Sequence, residues 1–153
     1  MTAKPRPRKR ARDEEVVALV VQVILREGTV ASQSRLAALV SDALPRGVRV
    51  TPARVRVLAI KSGLVGVTIR ARTDGPASAL DACPVCRAKL RRTENRTLTG
   101  KAASTGYKCT RCPYWTGRDL RVPQHYTFHA RVQRAGGQGQ LKFVDATGRS
   151  KKA

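Results

Sequence analysis

Cys83-Pro84-Val85-Cys86 and Cys109-Thr110-Arg111-Cys112 form two C-x2-C pairs separated by 22 residues. Each pair presents two thiolates from one tight turn, and four such thiolates complete a tetrahedral shell for a metal ion. The spacing predicts a β-rich zinc ribbon over residues 77–130, with Cys83, Cys86, Cys109 and Cys112 as ligands of one structural Zn2+. A closed four-Cys shell leaves no position open for a substrate or water. The 22-residue gap fits a β-hairpin that leaves along Lys89–Leu98, turns through Gly100–Gly106 and returns by Tyr107. Two disulfides and a rubredoxin-like iron shell are the competing readings of the same four residues. Disulfides belong to oxidising compartments, and no apolar run of signal-peptide type follows the basic N-terminus before Asp13.

The second pair also fits another site. Cys109, Cys112, His125 and His129 have the spacing of a two-Cys, two-His finger, which would put Arg118, Arg121 and Gln124 on its base-reading helix. Pro123 falls inside that helix and breaks it, and Cys83 and Cys86 would lose their role. The four-Cys ribbon is therefore preferred.

Upstream, residues 13–76 read as three helices and a strand. Asp13-Glu14-Glu15 places three carboxylates at a helix N-terminus, where the dipole favours them. Val16–Leu25 is almost wholly apolar, which predicts a largely buried helix that Gly28 ends. Ser32 or Ser34 caps a second helix to about Ala43, with Leu36, Leu39, Val40 and Ala43 on one face. Val48-Arg49-Val50 reads as a short extended piece. Thr51-Pro52 is a cap followed by proline at the first helical position, and this third helix runs to Ser62 before Gly63. Leu64–Arg72 alternates as a strand, and Asp74-Gly75-Pro76 reads as a turn and a domain boundary.

Three short helices and a strand suggest a winged helix-turn-helix whose third helix enters a major groove. The expected fold is thus α+β: a basic disordered arm (1–12), the winged helix-turn-helix (13–76), the zinc ribbon (77–130) and a flexible basic tail (131–153). Within that tail Leu141–Val144 reads as a short strand.

Charge points to the partner. Lys and Arg number 31 against 10 Asp and Glu, a net charge of +21, so a polyanion that releases counterions on binding is the expected ligand. The candidate nucleic-acid contacts are Arg6, Arg8, Lys9 and Arg10 in the arm, and Arg49, Thr51, Arg54, Arg56 and Lys61 around the third helix. Arg111, Trp115, Arg118 and Arg121 are the candidates in the ribbon. Tyr107, Tyr114, Trp115, Tyr126 and Phe128 either build the ribbon's small core or stack on unpaired bases. In an extended segment Tyr114 and Trp115 point to opposite faces, so one of them is exposed.

The chain resembles a family of mostly uncharacterised archaeal proteins that pair an N-terminal winged helix-turn-helix with a C-terminal four-Cys zinc ribbon. The resemblance lies in Arg35-Leu36-Ala37, Thr51-Pro52-Ala53-Arg54-Val55, Asp81–Cys86, Glu94–Leu98, Gly106–Cys109 and Tyr114–Gly117. It spans about residues 14–129. It implies a DNA-binding, transcription-related role. The chain departs from the family in its arginine content, its basic tails and Arg87, which stands where the first knuckle usually carries glycine.

No phosphate-binding loop, dinucleotide fingerprint or Ser-His-Asp pattern is present in the sequence, so no enzyme is expected. The expected function is binding of DNA as a transcription regulator or nucleoid-associated protein. The alternatives are an rRNA-binding protein on the ribosome and a ribbon that docks a protein partner. With no apolar run long enough to span a bilayer, the expected place is the cytoplasm, at the nucleoid or the ribosome.

Overall fold

The computed structural model describes residues 10–131 throughout, and beyond them the backbone of three short strands. The fold is α+β. Helices α1 (Asp13–Glu27), α2 (Gln33–Ala43) and α3 (Pro52–Ser62) are interleaved with strands β1 (Thr29–Val30) and β2 (Val65–Pro76). Strands β3 (Leu90–Arg96), β4 (Ala102–Cys109), β5 (Trp115–Thr116) and β6 (Asp119–Ala130) follow, and then β7 (Gln133–Arg134), β8 (Leu141–Val144) and β9 (Ser150–Lys151). Three antiparallel sheets result, ordered β1-β6-β2, β3-β4-β5 and β7-β8-β9. Among the described residues no helix is long and apolar enough to cross a membrane.

The helix boundaries follow from their end residues. Ser32 Oγ accepts from the Arg35 amide at 3.0 Å, and Thr51 Oγ1 accepts from the Arg54 amide at 3.3 Å. Each satisfies a backbone donor that the first helical turn leaves unpaired. Gly63 ends α3 at φ 72, a left-handed conformation that costs glycine nothing. Helix α1 is less buried than its composition suggests. Only Val16, Val20, Val23 and Ile24 are buried, a single stripe at helical spacing, and Leu25 is 54% exposed.

These stripes close on the first sheet. Val16, Val20 and Ile24 of α1, Leu36 and Val40 of α2, and Val55 of α3 are fully buried together with Val30 and Phe128. Phe128 lies in β6, opposite Val67 of β2 on one side and Val30 of β1 on the other. The core therefore needs a strand that begins 57 positions beyond the end of the last helix, at Asp119 against Ser62.

That pairing corrects the boundary read at Asp74-Gly75-Pro76. The three residues are not a turn: β2 continues through Pro76, with Asp74 opposite Leu120 and Pro76 opposite Asp119. Strand β6 runs back along the whole of β2. Residues 119–130 thus share a sheet with residues 65–76, and residues 77–118 are an insertion between the two strands. The Ala77 amide donates to the Arg118 carbonyl at 2.8 Å and closes the base of the insertion. Pro123, which has no amide hydrogen to give the ladder, sits at a register shift where β6 carries an extra residue.

Within the insertion β3 and β4 form the expected hairpin, but its turn is shorter. The chain reverses over Thr97–Lys101, where Thr97 Oγ1 donates to the Lys101 carbonyl at 3.0 Å, and Ala102–Gly106 is already strand. Gly106, at φ 145, lets β4 approach β5 closely: a Cβ there would lie 2.0 Å from the Thr116 carbonyl oxygen. Val48-Arg49-Val50 pairs with no strand. Leu141–Val144 is a strand, as read.

Candidate metal centre and cationic cleft

Two tight turns carry the cysteines. In the first, the Arg87 amide donates to the Cys83 carbonyl at 2.9 Å and the Cys83 amide to the Ala88 carbonyl at 2.9 Å. In the second, the amides of Arg111 and Cys112 point at Cys109 Sγ at 3.3 and 3.4 Å, and the Cys109 amide donates to the Tyr114 carbonyl at 2.9 Å. The β3-β4 hairpin brings the two turns face to face.

All four cysteines are buried free thiols, and their Sγ atoms lie within 4.8 Å of one another. Cys83 and Cys112 are 3.6 Å apart, and Cys86 and Cys109 are 3.4 Å apart. A tetrahedral shell with metal–sulfur bonds of about 2.3 Å needs sulfurs about 3.8 Å apart. The four cysteines are therefore placed to hold one metal ion. Among themselves the thiols divide. A hydrogen bond from the Cys112 thiol pushes Cys83 down to about 5, and the same bond, with burial, pushes Cys112 up. Burial pushes Cys86 up to about 12. A divalent cation at the centre overrides this division, because coordination deprotonates every ligand thiol.

The histidines are elsewhere. Residues 119–130 form a strand rather than a helix, with His125 opposite Arg70 and His129 opposite Gly66. The helix required by the two-Cys, two-His reading is absent, and among the described residues the group placed to hold a metal ion is the four cysteines, without a histidine.

The candidate nucleic-acid residues fall into separate places. Arg6, Arg8 and Lys9 lie outside the described residues. Arg10, Arg49, Thr51, Arg54 and Lys61 come together around one open cleft of about 520 Å³ on the outer side of α3. The same cleft is lined by Asp13 and by Arg87 of the first cysteine turn. Among the described residues Arg49, Lys61 and Arg87 form no ion pair. Arg54 is different. Its Nη2 donates to Asp13 Oδ1 and, at 2.6 Å, to the Ala11 carbonyl, so it ties the N-terminus of α1 to α3. The Arg54 bond holds the exposed Asp13 carboxyl below the usual range. The stability from that pair is present above the ordinary carboxylate pKa and is lost as the pH falls through the lowered value.

Arg56, a candidate nucleic-acid contact, is turned inward instead. Its Nε donates to the Val85 carbonyl at 2.9 Å, another nitrogen donates to Gln33 Oε1, and the guanidinium covers the Tyr126 ring at 4.7 Å. It fastens the first cysteine turn to the helices. Trp115 is the exposed member of its pair, at 52%, and Tyr114 is buried. The Tyr114 hydroxyl donates to the Arg121 carbonyl at 2.8 Å. The Arg121 guanidinium lies 4.1 Å over the Trp115 ring. Arg118 is exposed on the loop before β6. Arg111 lines a different cleft, with His129 and Arg131.

No known protein family, curated protein or solved structure matches the chain. The resemblance to the archaeal winged-helix and ribbon proteins therefore rests on the residues quoted for it.

Reasoning from sequence marked Arg87 as a departure but did not place it with the candidate contacts whose cleft it lines. Its signal was the absence of the glycine expected after a cysteine turn.

Proposed function

We propose that this chain is a zinc-dependent nucleic-acid-binding protein that docks duplex DNA against α3. The observation that carries the reading is the gathering of Arg10, Arg49, Lys61 and Arg87 around one cleft beside that helix. Cations so placed, with no ion pair at Arg49, Lys61 and Arg87 among the described residues, suit a phosphate backbone, whose condensed counterions are released on contact. Zinc is the metal of choice for four cysteine thiolates in a closed shell, and its role is structural.

The order of elements supports a winged helix. Three helices pack on a small sheet whose last strand, β6, lies between β1 and β2. In a winged helix the segment between the last two strands is the wing. Here that segment is the cysteine ribbon, residues 77–118. Under this reading α3 is the recognition helix and the ribbon is an enlarged wing.

A second reading has one observation of its own. Trp115 is exposed, with Arg121 stacked on one ring face, and an indole so held can stack on an unpaired base. This favours a single-stranded or structured RNA, as on a ribosome.

The charge prediction is direct. Replacing Arg49 and Lys61 together by alanine should lower the slope of log K against log[salt] by about 2 for duplex DNA, one unit for each lost phosphate contact. Thermal unfolding should change little, since both side chains are exposed. Binding isotherms from about 50 to 300 mM salt measure this. An unchanged slope would remove α3 from the interface.

A further inference from the structure

The first cysteine turn does more than hold metal. Arg87 is the one non-glycine residue with positive φ among the described residues, at 61. A left-handed conformation costs a residue with a Cβ about 1–2 kcal/mol, and glycine at this place would not meet that cost. The turn has no steric need for a side chain here. Its two hydrogen bonds join the backbones of Cys83, Arg87 and Ala88, and the Arg87 side chain takes no part in them. Yet the arginine side chain reaches out of the ribbon and lines the cleft of α3, alongside Arg49 and Lys61. Strain kept at one residue whose charge joins a cluster of like charges points from geometry to binding. Like charges brought together repel, and an anion between them removes that repulsion.

We infer that α3 and the first cysteine turn form one composite phosphate site, in which Arg87 supplies a contact to the nucleic-acid backbone from the metal-held turn. The inference rests on the reading of the α3 face as a nucleic-acid surface. The metal positions this contact without touching the ligand. It fixes Cys83 and Cys86, which fix the turn, and Arg56 anchors that turn to α3 through the Val85 carbonyl at 2.9 Å. The two halves of the cleft are thereby held in register.

The test uses the full-length, zinc-loaded protein and a short duplex DNA oligonucleotide, titrated from about 50 to 300 mM salt. Arg87→Gly removes the charge and the strain together. It should lower the salt slope by about 0.9, so the affinity ratio between the two salt concentrations shrinks about five-fold. Its melting temperature should not fall. Arg87→Lys and Arg87→Gln keep a Cβ at the same φ and differ only in charge. The lysine variant should retain the slope and the glutamine variant lose it, whatever either does to stability. Arg92→Ala, on the exposed side of β3, is the control for general charge loss and should shift the slope less. Equal slopes for Arg87→Lys and Arg87→Gln would overturn the inference. If Arg49→Ala with Lys61→Ala lowers the slope while the Arg87 variants do not, the α3 reading stands and the composite site falls. If none of them moves the slope, the proposed function itself is wrong.

Discussion

Cys83→Ser should release the metal and unfold the insertion between β2 and β6 while the helical core persists. The insertion has little else to hold it. Of β3, no residue is buried, and of β4 only Gly106 and Cys109 are. The buried side chains of this region are the four cysteines, Val85, Tyr114 and Thr116. Structural zinc in small fingers is worth about 10–16 kcal/mol of apparent binding free energy, as large as the whole stability of many domains. Losing one thiolate of four removes much of that. The rest of the molecule is buffered by topology. If the insertion unfolds, β2 and β6 become joined by a long loop, and the entropy of closing a loop rises only as the logarithm of its length. The Val85 contact and the Arg56 hydrogen bond are lost, so the remaining core should soften without melting. Metal content by mass spectrometry and amide hydrogen exchange check both halves. Fast exchange confined to residues 77–118 is the expected pattern. Protection of β3 and β4 equal to that of the unmodified protein, with no bound metal, would show that the metal does not hold the ribbon.

Phe128→Ala should cost about 3–5 kcal/mol, the range for emptying an aromatic position in a close-packed core. Phe128 is fully buried and is the largest such side chain among the described residues. It sits in β6, between β1 and β2, in one core cluster with buried residues of all three helices. The cavity cannot collapse easily, because two ladders fix the backbone on either side. Against a typical total of about 5–15 kcal/mol, the loss would leave a marginal protein. It should lower the melting transition of the helical unit, while metal content at low temperature stays at one ion per chain. A loss under about 1 kcal/mol by denaturant titration would mean that β6 does not carry the core.

These two effects separate what could be read locally from what could not. The four cysteines were legible because metal ligation demands a spacing that chance seldom supplies. The helices were legible at their ends: Ser32, Thr51-Pro52, Gly28 and Gly63 sit where caps and stops belong. The placement of β6 was not legible. Its partner β2 is separated from it by the whole insertion, and no local pattern records a pairing at that distance. Pro123 misled in the same way: it excluded a helix correctly but gave no hint of a strand that accommodates it at a bulge. The two-residue β1 is too short to show a period.

The site divides similarly. Arg49, Thr51, Arg54 and Lys61 line one cleft, and of these only Arg54 and Lys61, seven apart in α3, share a helical face. Arg54 and Arg56 are candidate nucleic-acid contacts by their place in the third helix, but the structure uses them as internal ties, to Asp13 and to Val85. A projection gives direction only and cannot show that another segment covers it. Arg87 was hidden for the converse reason. Its place in the cleft depends on how the ribbon packs on α3, a fact of tertiary structure alone.

The most direct test of the central claim is competition binding by the zinc-loaded, full-length protein. Duplex DNA, single-stranded RNA and structured rRNA fragments would compete from about 50 to 300 mM salt. The account predicts that duplex DNA is bound most tightly, with a steep salt slope and a preference that persists at the upper concentration. Preferential binding of structured RNA, or equal binding of all three that vanishes with salt, would contradict docking of duplex DNA against α3.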